Sequence, residues 1–329
     1  MSRASQADCT APEVSVLLLC YNHARFVDDC LQSVATQTLT GFELIVCDDA
    51  STDDSVARIE LGLQRLQLQA RFIRHASNLG LCPTLVELMG LARGRYIAMV
   101  AADDLWEPER LAQQLALLRQ HPEAALVYSD AHQIDEEGRR LPLSVMQAHH
   151  APEPPPSGML FSVLANGNFI PAMATLIRRE AIDAVGGYDA SLSYEDYDMW
   201  LRLAERYPIL HLPGRLASYR IVESSMVRTL FRRPNGAHYE TLFRICERWL
   251  SRDLLSPEQR QRWTVRQADA AYGLFYGGHP RARQALWTVA RRDAKRRWRW
   301  LLIAGMCAIG LHRPRLVGLA GRLRRQHRE

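Results

Sequence analysis

The stretch YIAMVAADDLWEPERL, residues 96–111, decides how this chain reads. Its first half is apolar and includes β-branched Ile97 and Val100, as expected of a strand buried on both faces. It ends on two adjacent carboxylates, Asp103 and Asp104, followed by an aromatic, Pro108 and a charged helix start. A buried strand that surfaces on two acids either presents them to a ligand or uses them to cap the helix that follows.

The same grammar runs upstream. VSVLLLCYN (14–22), FELIVCDD (42–49) and ARFIRHA (70–76) read as buried strands. Each is followed by helical spacing: 23–38, where Phe26, Cys30 and Val34 share a face; 51–66, with Ser51 or Thr52 as cap; and 81–94, stopped by Gly94. Strand–helix alternation with short loops predicts an α/β fold, a mainly parallel doubly wound sheet across residues 13–128. In such sheets ligands bind at the carboxyl ends of the strands. Those ends carry Tyr21-Asn22-His23, Asp48-Asp49, residues 75–78 and Asp103-Asp104. No GxGxxG follows the first strand and no GxxxxGK[ST] occurs, so dinucleotide-binding and P-loop readings lose their main support. A carboxylate-rich edge suits a divalent cation carrying a diphosphate, because hard cations prefer oxygen ligands.

Composition sets the class. The 329 residues are 47% hydrophobic and 23% charged, ordinary for a globular protein with room for a second domain or an appendage. Seven cysteines, at 9, 20, 30, 47, 82, 246 and 307, form no CxxC pair and read as reduced core thiols of a cytosolic protein. The first residues show no apolar signal-peptide core. The net charge of +5 is uneven: from Arg281 onward fourteen basic residues face only Asp293 and Glu329, leaving the first 280 residues at −7. A basic tail on an acidic body expects an anionic partner for the tail.

Five segments, VSVLLLCYNHARFVDDCLQSVATQT, FELIVCDDASTDDS, GRYIAMVAADDLWEPERL, AVGGYD and YEDYDMWLRLA, resemble glycosyltransferase family 2, in order and spacing, over roughly residues 13–225. The resemblance implies a GT-A fold and an inverting transferase that uses a nucleotide-diphosphate sugar with Mg2+ or Mn2+. It implies that Asp49 contacts the nucleotide, with Asp48 accessory and Asn22 nearby. By their own pattern these acids would equally suit an Asx-type turn, and His23 a surface loop. Asp103 matches the second carboxylate of the family's DXD motif and is implied to touch the metal, with Asp104 beside it toward the donor. Ala101 stands where the first DXD carboxylate is expected, and Val222 where a histidine often follows Tyr-Arg. Arg220 is present there and is expected either to neutralise diphosphate charge or to be a solvated surface arginine or a structural pair to a carboxylate.

LSYEDYDMWLRLAERY (192–207) has Trp200, Leu203 and Ala204 on one helical face. Acids in its first turn would by themselves stabilise the helix dipole. The resemblance makes Asp196 the general base, with Glu195 orienting the loop or the sugar; Asp198 is expected to face outward. AVGGYDASLS (184–193) reads as a helix end with left-handed glycines, and 169–180 as a strand in which Met173 and Thr175 line an acceptor pocket or belong to the core. LPLSVMQAHHAPEPPPSGML (141–160) reads as an extended crossing or a flap.

These features divide the chain into a transferase domain, 13–227, and a helical basic region, 228–329. Ser256-Pro257 marks a helix start there. The apolar run 300–311 is too short to span a bilayer, which needs about twenty residues. Basic and Trp-containing, it expects either in-plane contact with an anionic membrane or an ordinary core helix; no nucleic-acid motif accompanies it. The expected activity is sugar transfer to a saccharide or lipid-linked acceptor in cell-surface polysaccharide or glycolipid synthesis. It would take place in the cytoplasm, at the inner face of the cell membrane. The alternative is a non-catalytic nucleotide-sugar-binding scaffold with a degenerate metal site.

Overall fold

The computed structural model of the chain describes residues 11–222, 236–293 and 296–308. Two compact units are present: Met1–Ala190 with Glu195–Ile221, and Ser191–Tyr194 with Val222–Glu329. The stretches 223–235 and 309–329, which hold the expected domain boundary and the arginine-rich end, lie outside the described residues, as do Cys9 and Lys295.

The first unit is built on β1 (Val14–Cys20), β2 (Glu43–Asp48), β3 (Ala70–Arg74) and β4 (Tyr96–Ala101), separated by α1 (Val27–Ala35), α2 (Ser55–Arg65) and α3 (Leu81–Leu91). β1 pairs in parallel with β2 on one edge and β4 on the other, and β3 adds in parallel to β2. Val14, Val16, Leu18 and Cys20 pack with Val27, Leu31 and Val34 of α1 and Ile59 of α2. The alternate residue Leu17 is buried on the opposite face, where α3, with buried Cys82, Leu85 and Leu88, covers β1 and β2.

Beyond β4 the chain continues through β5 (Leu105–Trp106), α4 (Arg110–Gln120), β6 (Leu126–Ile134) and β7 (Arg140–Ser144). It then forms α5 (Val145–Ala148), α6 (Phe161–Leu164), a 3-10 turn (Ala172–Ala174), β8 (Thr175–Arg178), α7 (Arg179–Ala184), α8 (Asp196–Arg206) and β9 (Ile209–Arg220). The sheet runs β3-β2-β1-β4-β8-β6-β9-β5, with β7 on β6. β8 is antiparallel to both β4 and β6, so the doubly wound half joins a mixed half.

Several local expectations change. α3 ends at Leu91, before Gly94, and Gly94 serves a close approach instead. Its N–H donates to Ser15 Oγ at 2.8 Å, and a Cβ there would lie 2.4 Å from the Ser15 nitrogen. α2 starts at Ser55 and is not capped by Ser51 or Thr52, because Asp53 accepts the Ser55 N–H while Ser51 bonds to Asp48. Residues 141–160 are extended only at their start, where they complete β7, and are not a free flap. Ser144 and Gln147 close a capping box on α5, and Gly158 bonds to Ile209 in both directions. Thr175 is fully buried, its hydroxyl donating to Ala172 O, so it belongs to the core; Met173 is half-buried and packs against the core. The six described cysteines are free thiols.

The second unit contains α9 (Gly236–Leu250), α10 (Pro257–Tyr276), α11 (Ala282–Arg292) and α12 (Arg297–Ala308) around one apolar cluster. Ser256 forms the expected cap with Pro257 at the first helical position. In α12, Trp300, Ile303 and Ala304 are buried, whereas Trp298 and Leu302 are 71% and 59% exposed. Among the described residues, no helix is long and apolar enough to cross a membrane.

Gly94→Ala is expected to lower stability by about 1–3 kcal/mol, the range for overpacking against an unyielding neighbour, because the obstacle is β1 backbone. A denaturation midpoint equal to the parent's would show that β1 can retreat.

Candidate active site

The carboxyl ends of β1, β2 and β4 form the site's floor. Parallel register aligns Cys20 with Asp48 and Leu19 with Ala101, so the acids after β2 and β4 flank the end of β1. With strands about 4.8 Å apart, those ends lie roughly 10 Å from each other.

The first two strand ends are stitched together. Asn22 adopts a left-handed φ of 56°. Its side-chain oxygen accepts the Thr52 N–H at 2.8 Å, and its own N–H donates to Ser51 Oγ at 2.8 Å. Asp48 accepts the Ser51 N–H and hydroxyl, while Asp53 accepts the Ala24 N–H. Asp48 thus holds the turn, as the Asx reading anticipated.

Asp49 accepts three hydrogen bonds: from Leu79 N–H and Gly80 N–H, each at 2.8 Å, and from His75 Nδ1 at 2.7 Å. The other ring nitrogen, His75 Nε2, lies 3.1 Å from Glu87 Oε2. A neutral imidazole donates only once, so a ring between two carboxylates is favoured in its protonated form. Burial opposes that charge, but the bonds to Asp49 and Glu87 outweigh it and raise the His75 pKa. In the sequence His75 reads only as one of the strand-end polar residues. Its pairing with Glu87, twelve positions away, is a tertiary contact.

Asp103 and Asp104 are both buried after β4. Asp104 Oδ1 accepts the Arg220 N–H at 3.0 Å. Burial, together with the Asp103 charge, pushes the Asp104 carboxyl well above its usual range. The Asp103 carboxylate has no hydrogen-bond partner among the described residues; its Oδ2 lies 3.7 Å from His23 Nε2. This strand end fits a cation: two buried acids lie side by side, and the Asp103 carboxylate is uncommitted among the described residues. Among the described residues no group of three or more His, Cys, Asp or Glu converges, so water and ligand oxygens would complete the shell.

Arg220 is 2% exposed. Its guanidinium donates to the backbone oxygens of Asp103 at 2.9 Å and of Asp135 and Glu136 at 3.2 Å, and lies over the Phe26 ring. It braces the Asp103–Asp104 turn from behind.

The Glu195–Asp196 pair stands at the start of α8. Asp196 Oδ2 accepts from Asn168 Nδ2 at 2.7 Å, and Oδ1 accepts the Tyr197 N–H at 2.6 Å. Asn168 was not singled out in the sequence; a lone Asn in "NGNF" carries no signal of its own. Burial raises the Asp196 pKa against the lowering effect of Tyr197, Asn168 and the nearby His149. Burial and the Asp196 charge push Glu195 up to about 8. Solvent still reaches part of both residues despite their crowded surroundings.

Asp198 does not face outward. It is fully buried and pairs with Arg202 at 2.8 Å, while Arg202 also donates to the Val185 and Gly187 carbonyls. Gly186 and Gly187 take the left-handed φ values, 92° and 73°, that the turn requires. The ion pair ties α8 to the AVGGYD turn.

A family model described as glycosyl transferase family 2 matches residues 15–186. The chain belongs to that family. EpsE of Bacillus subtilis, named as a glycosyltransferase, is 30% identical over 199 residues, 60% of this chain and 68% of that protein. The amylovoran biosynthesis glycosyltransferase AmsE of Erwinia amylovora is 28% identical over 213 residues, 63% of this chain and 75% of AmsE. S. aureus TarS 1-349 in complex with UDP-GlcNAc superposes with a TM-score of 0.60 at 19% identity, covering 85% of this chain and 81% of that one. The mannosyltransferase PcManGT of Pyrobaculum calidifontis, with GDP-Man and Mn2+, gives 0.55 at 17% identity, covering 93% and 82%. At these identities the structures establish the GT-A fold, and the family establishes a glycosyltransferase.

Two outcomes test the electrostatics. Asp198→Ala leaves Arg202 buried without its partner and should cost roughly 3–5 kcal/mol; a parent-like unfolding midpoint would remove the ion pair from the account. Glu195→Gln should leave stability unchanged at about pH 4 and raise it at about pH 9. The folded carboxyl stays protonated up to about 8, while the unfolded one ionises near 4.5, so native stability falls as pH rises between those values. Equal midpoint shifts at both pH values would contradict the raised pKa.

Proposed function

We propose that this glycosyltransferase transfers a sugar from a nucleotide-diphosphate donor to an acceptor hydroxyl in a single inverting displacement, with Asp196 as general base. The observation that carries the reading is the Asp196 carboxylate itself. It is oriented by Asn168 and the Tyr197 N–H and has a pKa raised by burial. A base near the operating pH is the more effective proton acceptor.

In this reading the acceptor oxygen attacks the anomeric carbon as its proton passes to Asp196. The bond from that carbon to the diphosphate oxygen breaks, and the nucleoside diphosphate leaves with the bonding pair. Glu195 stays protonated near neutrality and can donate a hydrogen bond to the sugar or its loop. Asp49 takes the nucleotide, with Asn22 and Asp48 holding the surrounding loop; Asp103 and Asp104 face the diphosphate, and Arg220 fixes their turn. Asp103 would hold Mg2+ or Mn2+, which supplies charge stabilisation for the leaving diphosphate when bound. The mannosyltransferase solved with GDP-Man and Mn2+ shares this fold and supports a metal-assisted nucleotide-sugar donor.

The names of the relatives support a polysaccharide acceptor and a role at the cell surface. Exposed Trp298 and Leu302, on a helix flanked by arginines, support contact of the second unit with an anionic membrane face, on the cytoplasmic side.

Asp196→Asn is expected to retain donor affinity and melting temperature and to lose transfer by about 10²–10⁴-fold. The parent's rate should fall as pH drops through a midpoint above the ordinary Asp value of about 3.9. Calorimetry with the donor and a pH series of nucleoside diphosphate release make the measurement. Parent-rate transfer by the variant would remove Asp196 as the base. A parent protein that binds donor yet transfers to no acceptor would favour the scaffold reading.

A further inference from the structure

At the end of β4 the chain lacks a carboxylate at Ala101, leaving Asp103 as the acid free to take a cation. The structure brings another donor to it. His23, on the loop after β1, has its main-chain N–H held by Ser55 Oγ at 2.9 Å and its ring set edge-on to Phe26 at 6.4 Å. The ring is therefore positioned, yet neither nitrogen is committed. Among the described residues Nδ1 is buried without a hydrogen-bond partner, and Nε2 lies 3.7 Å from Asp103 Oδ2, too far for a hydrogen bond. Folded proteins rarely leave buried polar atoms unpaired for no purpose. Here an uncommitted imidazole faces an uncommitted carboxylate.

The spacing suits a shared ion. Two donors bound to one cation at about 2.1 Å are about 3.0 Å apart when adjacent and about 4.2 Å apart when opposite; the observed 3.7 Å falls between these limits. We propose that His23 Nε2 and Asp103 Oδ2 jointly clasp the divalent cation that accompanies the donor diphosphate, the imidazole substituting for a carboxylate at position 101. The proposal rests on the donor-site reading above.

Two properties follow. Replacing a carboxylate by imidazole removes one negative charge and moves the site toward borderline transition ions, so Mn2+ is favoured over Mg2+. The His23 Nδ1 also lacks the acceptor that usually raises a ligand histidine's basicity. Two protein donors without that support hold the ion weakly, and retention requires diphosphate oxygens.

The test uses the full chain with Mn2+ and either UDP or GDP. Pulsed electron paramagnetic resonance should detect nitrogen coupling to Mn2+ in the ternary mixture. The coupling should change to the 15N pattern in histidine-labelled protein and vanish in His23→Ala, whose melting temperature stays at the parent's. His23→Ala should weaken nucleotide-dependent Mn2+ affinity by at least roughly tenfold, the scale at which even supporting residues matter, and lose the preference for Mn2+ over Mg2+. Adding Ala101→Asp to that variant should restore affinity without nitrogen coupling. Nitrogen coupling that survives in His23→Ala, or Mn2+ that binds the parent without coupling, overturns the clasp. Nucleotide binding indifferent to chelation overturns it while leaving the donor site standing. Failure of both nucleotides to bind overturns the donor-site reading and the clasp together.

Discussion

The enclosure of β1 governs the rest of this protein. Its backbone is bonded to β2 on one edge and β4 on the other, and its side chains are covered by helices on both faces. No polar group can be accommodated along its length without a partner, so polar residues appear only where the strand ends. The neighbouring strands end at matching register, and Asp48, Asp49, Asp103 and Asp104 are delivered to one edge because β1 cannot hold them elsewhere. The same crowding at the other end, where Gly94 meets Ser15, shows how little slack the strand has.

Polar residues next to that edge divide the work. Some carboxylates are consumed by the fold: Asp48 closes its turn, Asp53 starts α2, and Asp198 is neutralised by Arg202. Asp49 is nearly saturated by two backbone N–H groups and the His75 ring. Asp103 is left uncommitted among the described residues, and the ionisation of Asp104 is disfavoured by burial and by its neighbour. Unbalanced charge in a buried place is unfavourable for stability, and it persists where a ligand completes it. The contrast in α8 follows the same logic. Asp196 and Asp198 are two positions apart, about 200° around the helix; one meets an amide and solvent, the other a buried arginine.

Much of this was legible in the sequence. Runs rich in apolar residues and bounded by polar ones gave β1, β2, β3 and β4 and the edge at which their polar ends gather. The two glycines before Tyr188 announced the left-handed turn, and Ser256-Pro257 the start of α10. Family motifs in order identified the fold and the activity class. Other features were not legible. Asp198 read as a surface acid because its Arg202 partner, one helical turn away, is equally consistent with an exposed pair; burial decides, and burial depends on the AVGGYD turn packing over both. Gly94 read as a helix stop because its neighbour across space, Ser15, is 79 positions away.

The sequence by itself determined which segments are strands, where their polar ends fall and which family the chain belongs to, since these depend on local periodicity and on motifs read along the chain. Tertiary structure alone decided which carboxylates remain free for chemistry. A carboxylate's protonation and hydrogen-bond valence are set by groups within a few ångströms. The groups that count here, His75 and Glu87 for Asp49, Asn168 for Asp196, and His23 for Asp103, are brought together by the sheet from distant parts of the chain.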